Sequence, residues 1–256
     1  MIARSAQKLA PAASEAFAAL VQKRIAGEPI AYLLGRREFY GRDFIVDSRV
    51  LIPRPETELL VDLALAWIAQ RAAIESDRPL RVLDLGTGSG AIAITLILER
   101  PFIEVTATDV SRDALEIAAH NALHSGAAVR FVETDWLAAF DAVPGRPERF
   151  DLIVSNPPYI AAGDTHLSEG DLCREPRIAL TDEADGLQAI RRIVLGAGRH
   201  LQSNGCLMLE HGYNQAEAVH ELLIDSGFAQ ITSSRDLAGI ERVTEGTRGS
   251  IPEDHV

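Results

Sequence analysis

From residue 80 onward, short apolar runs of strand length alternate with segments that have a helical pattern of apolar positions. Such alternation favours an α/β fold, in which helices cover both faces of a parallel sheet. The last two apolar runs can pair as an antiparallel hairpin, so the last of seven strands is expected to be reversed. The predicted strands are 80–85, 105–108, 129–132, 151–156, 205–210, 229–234 and 241–245, and the predicted helices are 90–100, 111–124, 187–200 and 215–226.

The segment before this alternation predicts a small lobe made of helices and a hairpin. An alanine-rich helix over 11–26 ends before Gly27 and Pro29. A hairpin is predicted over 37–52, and a second helix follows the proline-rich loop 52–58. The apolar stripe of the first helix is Phe17, Leu20, Val21 and Ile25, and the buried side of the second is Leu59, Leu60, Leu63, Leu65 and Trp67.

A polar stretch at 75–79 is the best linker in the chain. We therefore predict a domain boundary near residue 76. The chain then divides into a small N-terminal lobe, 1–75, and a main α/β domain, 76–256.

Composition limits the classes of protein to consider. At 256 residues and 47% hydrophobic content, the chain can bury one large core. No apolar run is long enough to span a membrane, and the first residues lead into no secretory signal. Cys173 and Cys206 have no metal or redox spacing, which is typical of reduced thiols in a cytoplasmic protein. The net charge of −12 is a poor match for nucleic acid, so no direct nucleic-acid partner is expected.

The strand at 151–156 stops abruptly in the sequence Asn156-Pro157-Pro158-Tyr159. Two prolines lack backbone donors and fix φ, so the strand must end at Asn156. Ligands bind at the carboxyl ends of strands in open α/β sheets. The Asn156 side-chain oxygen and the Pro157 carbonyl can each accept one N–H of a planar amino group, on whose plane Tyr159 can stack. We interpret this corner as a substrate site, in preference to a plain turn.

A glycine-rich turn, Gly86-Thr87-Gly88-Ser89-Gly90, lies between a predicted strand and a predicted helix. Glycines let the backbone pass close to a ligand, and the helix N-terminus presents free N–H groups. Asp109 ends the next strand and can hold ribose hydroxyls. The turn also satisfies the relaxed dinucleotide pattern, so on this motif alone a dehydrogenase remains possible.

The pair Asp135-Trp136 follows the third strand and fits a cradle for an adenine ring, with a carboxylate near the exocyclic amine and an indole for packing. Core packing is an equally good interpretation of Trp136 alone. Together with Asn156 to Tyr159, these motifs resemble those of S-adenosylmethionine-dependent amino-group methyltransferases. Several planar amines suit such a corner: adenine N6, cytosine N4, guanine N2 and the glutamine side-chain amide.

Further motifs narrow this resemblance. Residues 27–35, 52–58, 210–212 and 241–243 are similar to those of the PrmC/HemK family, the N5-glutamine methyltransferases of peptide chain release factors. The resemblance extends over 27–248. It implies a class I S-adenosylmethionine-dependent methyltransferase fold, with a Rossmann-like seven-stranded sheet. It also implies that the protein methylates the glutamine of the Gly-Gly-Gln motif in class I release factors, as a cytoplasmic monomer. The alternative is a nucleic-acid amino methyltransferase that acts on adenine N6 or guanine N2.

The resemblance also implies roles for individual residues. Asn156, Pro157 and Tyr159 would be catalytic, and with Pro158 they would hold the glutamine. The cofactor would be held by residues from five motifs, namely Gly86, Thr87, Gly88, Ser89, Gly90, Asp109, Trp136, Asn156, Arg54 and Glu56. No metal site is expected, because His120 and His124 have no obvious third ligand.

The start of the chain departs from the family pattern. The family normally has a multi-helix N-terminal domain that grips the release factor, whereas only 26 residues precede Gly27. That length allows about one helix. We therefore expect either a reduced grip on the partner or a true start that lies upstream.

Overall fold

The computed structural model describes residues 10–74, 78–141 and 147–249. The predicted boundary near residue 76 lies outside these ranges, so the division into 1–75 and 76–256 stays a prediction. No helix within the described ranges is long and apolar enough to cross a bilayer.

The N-terminal part of the chain contains helices and one hairpin, as predicted. A 3-10 turn, Pro55–Thr57, leads directly into the third helix. The elements are α1 (Pro11–Ile25), α2 (Ile30–Leu34), β1 (Arg36–Phe39), β2 (Arg42–Ile45) and α3 (Glu58–Ala72).

The rest of the chain forms the predicted α/β fold. Its strands are β3 (Arg81–Leu85), β4 (Glu104–Asp109), β5 (Val129–Glu133), β6 (Phe150–Ser155), β7 (Leu201–Glu210), β8 (Phe228–Arg235) and β9 (Glu241–Arg248). Its helices are α4 (Ala91–Glu99), α5 (Arg112–Ser125), α6 (Gln188–His200) and α7 (Ala216–Asp225). The seven strands are arranged in the order β5-β4-β3-β6-β7-β9-β8. Of these seven strands, β9 alone runs opposite to the other six, which confirms the predicted reversal of the last strand.

The central strands are buried on both faces of the sheet. In β6, Leu152 and Val154 pack into a cluster with α3 and α4, whereas Ile153 packs into a second cluster with α6 and α7. Burial on both faces explains why β6 is a continuous apolar run instead of an alternating one. All six residues of β6 are buried, so its end is a fixed platform for the residues that follow.

In the N-terminal part, one predicted boundary was wrong and one short helix was missed. The hairpin strand β2 ends at Ile45 instead of continuing to Ile52. The alternation after Ile45 reflects packing, because Val46, Val50 and Ile52 are buried against Ala114 and Ile117 of α5. The short helix α2 was not predicted: Pro29 is its N-cap, and Gly35, with φ of +67°, closes it.

The buried faces of two helices also differ from the prediction. In α1 no residue is buried, and Phe17 and Ile25 of the apolar stripe are 62% and 73% exposed. In α3 the 3.6-residue period places Leu60, Val61, Ala64, Leu65 and Ile68 in the core, while Leu59, Leu63 and Trp67 lie at its edge.

Strand β7 begins at Leu201, four residues before the predicted start at Gly205. The intervening Gln202, Ser203 and Asn204 are polar, which concealed the strand in the sequence. Asn204 has a φ of +57°, and the pairing of β7 with β6 is irregular at this point. The early part of β7 is therefore a bulged extension of an apolar strand.

Asn121 of α5 joins the hairpin to the glycine-rich turn. Its Nδ2 donates to the Ile45 carbonyl at 3.0 Å and to the Ser89 carbonyl at 2.9 Å, and its Oδ1 accepts from the Ile45 N–H at 2.8 Å. Asn121 is 4% exposed, so all three bonds are made away from water. One side chain thus fixes the N-terminal lobe and the turn to the same helix.

Replacing Asn121 by Leu is expected to lower the free energy of unfolding by about 2–4 kcal/mol, because three buried backbone groups lose their partner. The measurement is urea unfolding, with His120→Leu on the exposed side of the same helix as the matched control. An Asn121→Leu protein as stable as the control would show that this link does not stabilise the fold.

Candidate active site

The carboxyl ends of the parallel strands place the predicted site residues along one edge of the sheet. Strand β3 lies between β4 and β6, with Leu85 paired to Thr108 on one side and to Ser155 on the other. The glycine-rich turn, Asp109 and Asn156 follow directly after these residues. They are therefore neighbours in space although up to 70 residues separate them in the chain.

Two hydrogen bonds from Thr87 fix the conformation of the glycine-rich turn. The Thr87 N–H donates to the Thr108 carbonyl at 2.8 Å, and the Thr87 hydroxyl donates to Asp84 Oδ2 at 2.6 Å. Gly90 has a φ of +83°, and a Cβ there would lie 2.8 Å from Ile94 Cδ1 and 3.2 Å from Ala118 Cβ. A side chain at position 90 would therefore be strained by the backbone conformation and would crowd Ala118 of α5.

Asp109 connects the turn to the start of α5. Its Oδ2 accepts from the Gly88 N–H at 3.0 Å, and its Oδ1 accepts from the Ser111 N–H at 2.9 Å. Burial raises the pKa of the Asp109 carboxyl, and the hydrogen bonds from Ser111 and Gly88 oppose this rise. Each carboxylate oxygen keeps a further lone pair, so Asp109 can still accept from ligand hydroxyls.

Trp136 packs directly over the glycine-rich turn. A Cβ on Gly86 would lie 3.4 Å from Trp136 Cζ3, in van der Waals contact with the indole, and the φ of +72° at this position favours glycine. The backbone of Trp136 has a φ of +53°, which is uncommon for an aromatic residue. Its neighbour Asp135 forms a 2.5 Å ion pair with Arg192 of α6.

The corner after β6 is fixed by bonds to three other elements. The Ser155 hydroxyl donates to the Leu85 carbonyl at 2.7 Å, and Asn156 Nδ2 donates to Thr57 Oγ1 at 3.1 Å. The Tyr159 hydroxyl donates to Glu210 Oε1 at 3.3 Å. Burial, with the negative charge of Glu210, raises the pKa of Tyr159, so the phenol stays protonated. These bonds hold Asn156 and Tyr159 in defined orientations.

A cavity of about 590 Å³ opens at this edge. Six of the predicted site residues border it, namely Gly86, Gly88, Asp109, Trp136, Asn156 and Pro158. Seven others do not appear in its wall, namely Thr87, Ser89, Gly90, Pro157, Tyr159, Arg54 and Glu56. Thr87 and Ser89 are buried beneath the turn, whereas Glu56 is exposed. The structure therefore brings two residues of the glycine turn and two of the corner, Gly86, Gly88, Asn156 and Pro158, to one common space.

The side chain of Arg54 is bonded to the long loop 160–185. It forms an ion pair with Glu175, whose side chain is fully buried, and Glu175 Oε2 also accepts from the Ile52 N–H at 2.9 Å. The same loop contributes Ile178, Ala179 and Thr181 to the cavity wall. Arg54 thus contacts the cavity through this loop and not directly.

The sequence interpretation missed several residues at this edge. Thr57 and Glu210 lie within motifs that carried the family resemblance, but nothing in their spacing revealed that both would contact the corner. Thr134 and Arg192 border the cavity, and only the folded chain brings Arg192 of α6 to the residues that follow β5. No three His, Cys, Asp or Glu side chains within the described ranges are grouped as a metal site would require.

Two buried carboxyl groups lie behind this edge. Burial raises the pKa of Asp84 to about 7, with the Thr87 hydroxyl acting in the opposite direction. Burial likewise raises the pKa of Glu210 to about 7, opposed by hydrogen bonds from Thr57 and Tyr159. Both groups are therefore close to half protonated near neutral pH.

Comparison with known proteins identifies the family. The family model for the methyltransferase small domain matches residues 62–172, and the model for the PrmC N-terminal domain matches residues 1–35. A release factor glutamine methyltransferase of Bordetella pertussis is 52% identical over 96% of this chain and 87% of its own length. A second, of Neisseria gonorrhoeae, is 51% identical over 89% of this chain and 79% of its own. The chain belongs to the release factor glutamine methyltransferase family.

A solved structure supports the fold of this family member. A 16S rRNA N2 G1207 methyltransferase of T. thermophilus, in complex with AdoMet and guanosine, superposes with a TM-score of 0.56 at 20% identity. The likeness covers 83% of this chain and 49% of that one and concerns the fold alone. Family and fold together make the protein an S-adenosylmethionine-dependent methyltransferase.

The residues at the cavity fit S-adenosylmethionine. Gly86 leaves room that a Cβ would fill beside the indole of Trp136, and Asp109 offers carboxylate lone pairs to hydroxyl groups. The aromatic ring and the carboxylate border the same cavity, as an adenosine requires. The chemistry of these donors and surfaces therefore agrees with the family's cofactor.

Replacing Asp84 by Asn is expected to remove one source of pH-dependent stability. Because the folded-state pKa is raised, the native protein binds more protons than the unfolded chain between about pH 4 and 7. The stabilising contribution of Asp84 in the wild type is thus fully present below about pH 4 and is lost as the pH rises to 7. Relative to wild type, Asp84→Asn should gain on the order of 1–3 kcal/mol between pH 4.5 and pH 8.

Urea unfolding at several pH values measures this difference, and Asp236→Asn provides a control of opposite sign. Hydrogen bonds from the Ile240 N–H and from other donors lower the pKa of Asp236, so its contribution is lost as the pH falls. A difference between wild type and Asp84→Asn that does not change with pH would contradict the shifted pKa.

Proposed function

We propose that this protein transfers the methyl group of S-adenosylmethionine to the side-chain N5 of the glutamine in the Gly-Gly-Gln motif of class I release factors. Relatives about half identical over nearly the whole chain are release factor glutamine methyltransferases. The observation that carries the proposal is that Asn156 and Pro158 border the same cavity as Gly86 and Gly88. An acceptor-rich corner therefore faces the space that the cofactor would use.

The proposed substrate group is a planar carboxamide with two N–H donors. The Asn156 side-chain oxygen and the Pro157 carbonyl would each accept one of these N–H groups, and Pro158 would border the bound amide. The ring of Tyr159, held through its hydroxyl by Glu210, would lie against the amide plane. This arrangement selects for an –NH2 group, because a hydroxyl has only one proton to donate.

A carboxamide nitrogen is a weak nucleophile, since its lone pair is delocalised into the carbonyl. Two accepted hydrogen bonds would raise electron density on the nitrogen and aim it along one direction. The bound cofactor supplies a methyl group that its sulfonium already activates. The main task of the protein is then positioning, which can account for several kcal/mol of the barrier. The extra proton on nitrogen can leave after transfer, so no strong base is needed.

The cofactor would be held by the turn from Gly86 to Gly90, by Asp109 and by Trp136. Thr87 and Ser89 would act by shaping the turn from below, and Asn156 would border both ligands. Arg54 would act through Glu175 by holding loop 160–185 over the cavity. Glu56 has no contact in the structure that supports its predicted role at the cofactor.

The proposed substrate also suggests where the enzyme works and how it meets its partner. Release factors act in translation, so we expect the enzyme to work in the cytoplasm and to meet its partner transiently as a monomer.

The direct test of the proposed substrate is a peptide-mass assay of purified release factor after incubation with this protein and S-adenosylmethionine. A single methyl group on the Gly-Gly-Gln peptide is expected. Cofactor binding without methylation of that peptide would reject this substrate.

Replacing Asn156 by Ala is expected to lower kcat about 100-fold, because the substrate nitrogen loses one of two positioning acceptors. The dissociation constant of the cofactor should change far less, because other residues make most of the proposed contacts. Single-turnover kinetics and calorimetric cofactor binding measure the two effects. The exposed Asn214→Ala is the matched control, and equal losses of turnover and cofactor affinity would contradict the role of Asn156.

A further inference from the structure

The side chain of Gln215 joins the backbone of three segments at the edge of the sheet that carries the site. Gln215 is the N-cap residue of α7 and is buried. Its Nε2 donates to the Tyr159 carbonyl at 2.9 Å and to the Gly186 carbonyl at 3.2 Å. Its Oε1 accepts from the Gly212 N–H at 2.8 Å. One side-chain amide therefore bonds the corner after β6, the end of loop 160–185 and the turn after β7.

These three partners allow only one orientation of the Gln215 amide. The two ends of a glutamine amide have almost the same shape, so packing alone does not choose between them. A backbone carbonyl can only accept a hydrogen bond, and a backbone N–H can only donate one. A flipped amide would place its oxygen against the two carbonyls and its –NH2 against the Gly212 N–H. All three bonds would then be lost in a buried place, which is costly.

The two carbonyls that Gln215 binds belong to the residues on either side of loop 160–185. The ends of this loop lie close together, because the N–H groups of Ile160 and Ala162 donate to carbonyls near its other end at 3.0 and 2.9 Å. Gly186 has a φ of +80°, and a Cβ there would lie 2.4 Å from the Tyr159 carbonyl oxygen. The base of the loop therefore packs directly against the backbone of the corner.

The corner from Asn156 to Tyr159 needs support at both of its ends. Pro157 and Pro158 have no backbone N–H, so neither can donate a main-chain hydrogen bond that would fix the corner. The first end is fixed by β6, all of whose residues are buried. At the second end, the bond from Gln215 fixes the Tyr159 carbonyl, while the Tyr159 hydroxyl is bonded to Glu210.

We propose that Gln215 is a positioning residue for methyl transfer: its amide fixes the end of the corner at Tyr159 and closes the base of loop 160–185. This inference rests on the proposed function, in which the Tyr159 ring lies against the substrate amide. Without the bond from Gln215, the ring would be held only by its hydroxyl, and its plane could tilt. The substrate nitrogen would then be aimed less accurately at the methyl group.

Replacing Gln215 by Met tests the role of all three bonds, because Met has a similar length and no amide. The variant is expected to lower kcat about tenfold or more. Cofactor affinity should change by less than about threefold, because the proposed cofactor contacts lie at the glycine turn, Asp109 and Trp136. Gln70→Met, at an exposed position of α3, is the matched control. A Gln215→Met enzyme with the same kcat as this control would overturn the proposal.

Replacing Gln215 by Glu keeps the shape and the acceptor for the Gly212 N–H, so this variant is informative even if Gln215→Met does not fold. A carboxyl group offers one proton at most, so at least one of the two carbonyls loses its donor. We expect kcat to fall about tenfold or more, again with cofactor affinity within about threefold of wild type. Unchanged kcat in Gln215→Glu would show that the two donated bonds do not position the corner.

Replacing Gly186 by Ala disturbs the same contact from the opposite side. The added Cβ would meet the Tyr159 carbonyl oxygen, so the corner must shift and kcat should fall about tenfold or more. Gly170→Ala is the matched control: Gly170 lies in the same loop with a φ of +56°, but a Cβ there has open space around it. The control shares the backbone strain without the contact, so equal kcat values for the two variants would count against the proposal.

A measurement without substrate distinguishes this inference from the proposed function. In the holoenzyme with S-adenosylmethionine, amide hydrogen exchange followed by NMR should be slow at Ile160 and Ala162. Both amides should exchange about tenfold faster or more in Gln215→Met, whereas the amides of β6 should keep their wild-type rates. If wild type does not methylate release factor but exchange responds in this way, the proposed function fails and the support of the corner by Gln215 stands. Unchanged exchange at Ile160 and Ala162, or an equal rise throughout β6, would overturn the positioning role whatever the substrate.

Discussion

The parallel pairing of β3 with β4 on one side and β6 on the other is the constraint on which the site depends. Parallel strands that are in register end at the same edge, so each strand delivers its next residues to one place. The glycine turn follows β3, Asp109 ends β4, and Asn156 follows β6. Because β6 is buried on both faces, its end cannot move without disturbing two core clusters. The double burial of this strand therefore provides the rigidity that positioning chemistry needs.

Polar side chains join the N-terminal part of the chain to this edge at three places. Asn121 bonds the hairpin and the glycine turn to α5, and Thr57 bonds the corner after β6. Glu175 bonds Ile52 and Arg54 to the loop that borders the cavity. Each link is a buried polar side chain with defined geometry, so each specifies one arrangement more strongly than apolar contact would. The segment 36–58 therefore acts as part of the active-site framework, although it precedes the sheet in the chain.

Much of this architecture was predictable because its signals are local. Strand–helix alternation, the glycine-rich turn and the double proline each act within a few residues, and they located the sheet, its reversed last strand and the edge that carries the site. The features that the sequence did not predict share a different cause. The bulged start of β7 is polar, the apolar stripe of α1 is exposed, and the links made by Asn121 and Thr57 depend on partners 76 and 99 residues away. No pattern within a single segment contains that information.

The same edge shows why stability and site geometry are in tension here. Asp84 and Glu210 are fully buried carboxyl groups, and burial raises the pKa of each to about 7. A hydrophobic residue at either position would avoid this desolvation. Yet Asp84 Oδ2 accepts from the Thr87 hydroxyl beneath the glycine turn, and Glu210 Oε1 accepts from the Tyr159 hydroxyl behind the corner. In both cases a buried acid fixes the direction of a neighbouring hydroxyl, and that hydroxyl belongs to the glycine turn or to the corner after β6. The two acids are thus best understood as positioning elements, because burying a carboxyl group carries a desolvation cost.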